Sequence, residues 1–282
     1  MSKTRVQIAS ALLIVALALT ASAGDGTQAS AEQAKPAQAA PGTELLQAFE
    51  ARYKIWRNGD HLGKASMTMR RNEQGQFEVE LDSRATEGMA GFVGAKTIEF
   101  SRFSTDNGRA VSDVYTQREK VFIGSSRWRA EFDWQQDLVQ VEAKDDWSQP
   151  LDGGELDPLN IYLYLAEAAA NERQTFEVEI VDDEEMRHYT YRALPGEPLE
   201  IACGTFETRV YERTLTDSPK HDVTWHAREL AWLPIQVRKT KADGDVMRLE
   251  LMELNPAQDA TLSACPRGAA TDTAAAADTA GD

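Results

Sequence analysis

The chain has 282 residues, with 46 Asp and Glu against 30 Lys and Arg, a formal net charge of −16 at pH 7. Hydrophobic residues make up 42% of it, enough for a packed core, which excludes disorder along the whole length. The acidic excess disfavours nucleic-acid phosphates and anionic headgroups as partners, and two cysteines are too few for a disulfide scaffold or a four-cysteine zinc site.

The first 23 residues read as a signal peptide. Lys3 and Arg5 precede an uncharged, mostly apolar run from Val6 to Thr20, and Ala21-Ser22-Ala23 is an A-x-A cleavage signature. The run falls short of the roughly 18–20 residues of a membrane span. Cleavage after Ala23, a periplasmic location and no transmembrane segment thereafter are the expectations. Cleavage removes Lys3 and Arg5 and no acid, so the net charge moves from −16 to −18. Residues 24–43, rich in Ala, Gln, Gly, Ser and Pro, are expected to be a disordered linker. Residues 44–255 form the β-rich folding unit. Residues 256–282, rich in Ala, Thr and Asp, are expected to be a disordered tail.

Within the folding unit, apolar residues recur with period two. Phe49, Tyr53 and Ile55 share one face of a first strand, and Asn58-Gly59 signals a type I′ turn. Ala65, Met67 and Met69, then Phe77, Val79 and Leu81, mark two more strands. Ile98 and Phe100, then Val111 and Tyr115, flank the turn at Asp106-Asn107-Gly108. Trp128, Ala130, Phe132 and Trp134 alternate with Arg127, Arg129, Glu131 and Asp133, and Val139, Val141 and Ala143 follow. Gly88, Gly91 and Gly94 punctuate an apolar loop that reads as a sheet corner or as a mobile flap.

Asp157-Pro158 breaks the period. Asp accepts from free amide groups at a helix start, and Pro suits the first helical position, so a helix is expected over 158–170. Strands resume at Phe176, Val178 and Ile180, continue through Tyr189, Tyr191, Leu199, Ile201, Val210, Val223, Trp225, Ile235 and Val237, and end at Met247, Leu249 and Leu251. The fold class is therefore all-β, mainly antiparallel. It is a large curved sheet forming a barrel or half-barrel, with one short helix near residues 158–170. Two stacked sheets, or two β domains joined near residue 150, are the alternatives.

With this pattern in view, the chain resembles the domain-of-unknown-function 3108 family of exported bacterial proteins, over about residues 50–254. Three passages carry the resemblance. They are Tyr53 to Gly63, Asp157-Pro158-Leu159-Asn160-Ile161-Tyr162, and Thr224-Trp225-His226-Ala227 leading to Trp232-Leu233-Pro234-Ile235. The resemblance implies a β-rich exported protein. It brings no established activity and no site residues.

Catalytic motifs are absent from the sequence. There is no G-x-S-x-G elbow, since Gly124-Ser125-Ser126 lacks the second Gly, no H-E-x-x-H and no phosphate loop. No catalytic residue, metal ligand or cofactor is assigned. His226 lies opposite Trp225 on its strand and is placed on the solvent side. Trp128, Phe132 and Trp134 either line a ligand cavity or form core. Arg127 and Arg129, on the opposite face, either receive an anionic head group or pair with acids of the sheet. Cys203 and Cys265 either pair in an oxidising compartment or stay apart. The expected function is a non-catalytic binding module for an amphipathic envelope ligand, a lipid or glycan. The alternative is an assembly factor that binds another envelope protein through a sheet edge or the Gly88–Gly94 loop. A hydrolase assembled from distant residues is the third.

Overall fold

In a computed structural model of the chain, the described residues are 46–121, 124–214, 220–258, 260 and 262–265. The expected signal, the linker and the end of the tail lie outside them. The strands are β1 (Phe49–Arg57), β2 (Asp60–Arg71), β3 (Phe77–Ala85), β4 (Lys96–Asp106), β5 (Arg109–Lys120), β6 (Ser125–Asp133), β7 (Leu138–Glu142) and β8 (Trp147–Pro150). They continue as β9 (Thr175–Val181), β10 (Met186–Leu194), β11 (Pro198–Ile201), β12 (Gly204–Thr214), β13 (His221–Ala227), β14 (Leu233–Thr240) and β15 (Val246–Pro256). Helix α1 (Gly88–Phe92) joins β3 to β4, and α2 (Asn160–Ala170) joins β8 to β9.

All these strands belong to one antiparallel sheet in the order β8-β7-β6-β5-β4-β3-β2-β1-β15-β14-β13-β12-β10-β9, with β11 added to β12. Short turns make this meander possible. Asn58 and Gly59 take φ of 51° and 93° and close β1 onto β2, as their tolerance of positive φ allows. The two ends of the sheet, β8 and β9, do not pair. A strap closes the gap instead: Leu156 bridges Ile180, its N–H donating to the Glu179 carbonyl and its carbonyl accepting from Val181. The Trp147 indole reaches across the same seam to the Asp183 carbonyl at 3.3 Å. The result is a barrel that one strap completes.

Helix α2 plugs this barrel. Nearly every side chain of it is buried, from Asn160 through Ala169, which is the signature of a helix enclosed on all sides. Asp157 fixes its start. The buried carboxylate accepts from the backbone N–H of Leu159 and Asn160 at 2.8 and 2.9 Å. It also accepts from Ser101 on β4, Ser112 on β5 and the Asn160 amide, at 2.7, 2.8 and 2.8 Å. Regular helix begins at Asn160, two residues later than expected, because Pro158 and Leu159 form the turn that Asp157 caps.

The alternation of burial follows the sequence period on most strands, as on β3, where Phe77, Val79, Leu81 and Ser83 are buried and the residues between them are not. Two strands reverse the expected face. On β4, Thr97, Glu99 and Ser101 point inward, and Ile98 and Phe100 point outward, half-buried. On β13, Asp222, Thr224 and His226 face the lumen, while Val223, Trp225 and Ala227 form a second small core on the outside. Covering that outer core are β11 and the chain beyond β15. The expected boundary at residue 255 is therefore too early: Cys265 exchanges two backbone hydrogen bonds of 2.9 Å with Leu254, and Leu262 is buried. Cys203 and Cys265 are joined by a disulfide, with Cα atoms 5.5 Å apart. The Gly88–Gly94 segment, expected as a loop, contains the five residues of α1.

Two outcomes follow for stability. Asp157→Ala strands two serine hydroxyls, an amide and two helix N–H groups, and should cost roughly 3 kcal/mol or more in urea denaturation. Cys203→Ser opens a loop spanning a 62-residue separation, and loop-closure entropy predicts a loss of roughly 4 kcal/mol under oxidising conditions. Addition of a reductant should reproduce that loss in the parent protein and leave the variant unchanged.

Candidate functional site

Two polar regions stand out, one inside the barrel and one on its outer face. Inside, the reversed face of β4 brings Glu99 within electrostatic reach of Lys239 on β14, and the reversed face of β13 turns Asp222 toward Lys239 and encloses His226. Glu99 is 1% exposed, and its Oε2 finds no hydrogen-bond partner among the described residues. Burial pushes its carboxyl up to about 8, against the pull of Lys239. Burial also lowers Lys239 to about 8, against the pull of Asp222. Asp222 is ion-paired with Arg213, whose guanidinium lies 4.3 Å over the Tyr189 ring.

His226 is fully buried, which corrects its expected place on the solvent side. Its Nδ1 lies 2.8 Å from the Trp232 carbonyl and its Nε2 lies 3.0 Å from the Thr224 hydroxyl. A carbonyl only accepts, so Nδ1 carries the proton and Nε2 accepts from Thr224. Burial lowers this imidazole to about 4, so it is neutral near pH 7. Its bond holds the β13–β14 turn, where Ala231 and Trp232 both take positive φ, 53° and 59°.

These groups have the shifted acidities that acid–base chemistry uses. They lack room for a substrate. The cavity between α2, Arg213, Asp222 and Lys239 measures about 20 Å³, space for a single water. The aromatic strand adds to the filling. Trp128 and Phe132 are buried core, Trp128 donating its indole N–H to Gln117 at 3.2 Å. Trp134 stacks on Phe132 and donates to the Ser112 carbonyl at 2.7 Å. The structure thus places the three aromatics among core residues, not around a ligand cavity.

The outer face is open. Across β4, β5 and β6 the register sets Ile98 beside Arg118 and Arg118 beside Arg127. The next row sets Lys96 beside Lys120 and Lys120 beside Ser125. Neighbouring strands lie ~4.8 Å apart, so these like charges repel. With Glu119 and Ser126 from the other face at the ends of β5 and β6, the two rows line a groove of about 780 Å³, inside the ~300–1,000 Å³ range of small-molecule sites. Lys96 shares Asp82 with Arg84, at 3.0 Å. Arg118, Lys120 and Arg127 have no acidic partner among the described residues. The groove's own carboxylate, Glu119, accepts from Ser126, and burial pushes its carboxyl above the usual carboxylate range. Of the two arginines singled out in the sequence, Arg127 belongs to this groove. Arg129 does not, because Glu131 binds it two residues along the strand.

The family model for proteins of unknown function DUF3108 matches residues 48–251. The chain belongs to the DUF3108 family. No curated protein matches it. Among solved structures, a β-barrel-like protein of the domain of unknown function DUF1849 from Brucella abortus is similar to it, with 10% identity and a TM-score of 0.52. That match covers 76% of this chain and 99% of that one, and it shows a shared fold. A structure of MucB matches with 12% identity over 80% of this chain and 62% of that one, at a TM-score of 0.31 that supports no further comparison.

The structure gives the three family passages of this DUF3108 chain a physical role. Tyr53 donates its hydroxyl to the Pro234 carbonyl at 3.1 Å, tying the first passage to the last. Asp157 caps the plug, and Thr224, His226 and Trp232 lock the β13–β14 turn. Each passage closes the barrel and none lines the groove.

Glu99 makes a pH test. Its folded form keeps a proton that the unfolded chain releases between about 4.5 and about 8. The stability it contributes is full below pH 4.5 and is lost as pH rises through 8. Glu99→Gln keeps the shape and cannot ionise. It should match the parent at pH 4 and exceed it by about 2 kcal/mol or more at pH 8.5, read from denaturant midpoints at both pH values.

Proposed function

We propose that this protein is an exported, non-catalytic binding module that holds the anionic head of an amphipathic envelope molecule, a lipid or lipid-linked glycan, in the groove across β4–β6. The observation that carries this reading is the reversed face of β4. It turns Ile98 outward, opposite Arg118, so an apolar floor adjoins a rim in which Arg118, Lys120 and Arg127 have no acidic partner among the described residues. Arginine suits such a rim because its planar fork binds phosphate or carboxylate with two parallel hydrogen bonds. Among the described residues, the cavity beside α2 holds space for one water, about 20 Å³. The disulfide suits an oxidising compartment such as the periplasm.

Placing Arg118 opposite Arg127 costs folding stability, and a binding role gives the arrangement a reason. Arg127→Glu should raise stability by about 0.5 kcal/mol, as repulsion becomes attraction. The same change should weaken binding of a short-chain phospholipid below its micelle concentration by at least tenfold, measured by calorimetry. Equal affinity of parent and variant, or no preference for anionic over zwitterionic heads, sinks the proposal.

A further inference from the structure

The register continues the cationic row well beyond the groove. Lys54 of β1 pairs with Lys64 of β2, Lys64 with Arg84 of β3, Arg84 with Lys96 of β4, and Lys96 with Lys120 of β5. Five cations therefore stand side by side on the outer face of five successive strands. At ~4.8 Å per strand the row spans roughly 19 Å. Asp82 binds Arg84 and Lys96, at 2.6 and 3.0 Å. Lys64 and Lys120 have no acidic partner among the described residues, and at the other end of the row Lys54 sits beside Glu250 of β15. Such a row in a chain of net charge −16 is a segregation of charge, and every neighbouring pair in it is repulsive.

A second, independent feature lies at the same rim. Helix α1 leaves β3 just after Arg84 and enters β4 at Lys96, so it projects from the middle of the cationic row. Residues 88–95 carry no charge. Met89 is 73% exposed, the exposed large hydrophobic side chain among the described residues. The backbone holds it there. Gly88 and Gly94 bracket the helix at φ of 62° and 63°, and a Cβ on Gly91 would meet the Thr86 carbonyl carbon at 2.5 Å. The helix thus presents an uncharged tip with Met89 exposed on it.

We infer that this rim docks on an anionic lipid bilayer, with Met89 and its uncharged helix entering the headgroup layer and the Lys54–Lys120 row resting on lipid phosphates. The chemistry of each part matches that partner. A short apolar tip gains from leaving water without needing a complementary pocket. A flat row of flexible lysines fits a surface of mobile phosphates better than one fixed ligand, and each such cation contributes roughly a fivefold gain near an anionic surface. Docking on a bilayer goes beyond the groove's ligand and does not depend on it, since Lys54, Lys64 and Met89 lie outside the groove.

The test is flotation of the oxidised protein with vesicles of phosphatidylcholine alone and with 30% phosphatidylglycerol, at low and high salt. Binding should appear with phosphatidylglycerol, be weak without it, and fall at high salt. Lys54→Glu/Lys64→Glu and Met89→Glu, all at exposed positions, should each reduce it at least tenfold with unchanged thermal melting. Failure to bind phosphatidylglycerol vesicles overturns the inference, as does binding indifferent to both variants. Soluble phospholipid bound in the groove without any vesicle binding would retain the groove reading and end this one. The reverse result would end the groove reading alone.

Discussion

The buried carboxylate of Asp157 is the joint on which this structure turns. It is taken out of water entirely, which raises its affinity for a proton, and five hydrogen bonds answer that cost. Those bonds reach β4, β5 and the first turn of α2. They fix the plug in the barrel, and the plug decides where a ligand can go. With α2 enclosed and the aromatics of β6 packed against Tyr115 and Gln117, the lumen has room for water. Among the described residues the wider groove, about 780 Å³, involves the outer face of β4–β6.

How much of this was legible in the sequence depends on which symmetry each feature breaks. Period two and the Asn-Gly turn are local, so the strands and their antiparallel order could be read. Asp157-Pro158 is local too, and it located the plug. The inward face of a strand is different. Alternation looks the same whichever side is buried, and the choice rests on what covers each face. For β13 the cover is the chain beyond β15, brought over by Cys265, more than thirty residues further on. Hence Trp225 was read as core against solvent-facing His226, when the histidine is the more enclosed of the two. The same blindness hid Glu99 and Lys239, which meet across the lumen from strands far apart in the sheet.

The groove was half visible. Arg127 drew attention as a cation in an acidic chain, but its neighbours Arg118 and Lys120 come from another strand, and only register places them beside it. Net charge is silent about such a groove for a related reason. A total of −16 describes the field far from the molecule, where all charges merge. Within a Debye length of ~8–10 Å the local row of lysines and arginines dominates instead. Composition therefore speaks to solubility, and the pairing of strands speaks to partners.

The pairing of β1 with β15 has a consequence for how the chain acquires its shape. Phe49 lies opposite Pro256, so the first strand waits for the last. Until some two hundred further residues are present, the early meander of β1 to β8 keeps β1 as a bare edge, with unpaired amide and carbonyl groups. Contacts of such long sequence separation form slowly, because loop closure precedes their reward. Completion of the ring is thus a late event that a partial chain cannot reach.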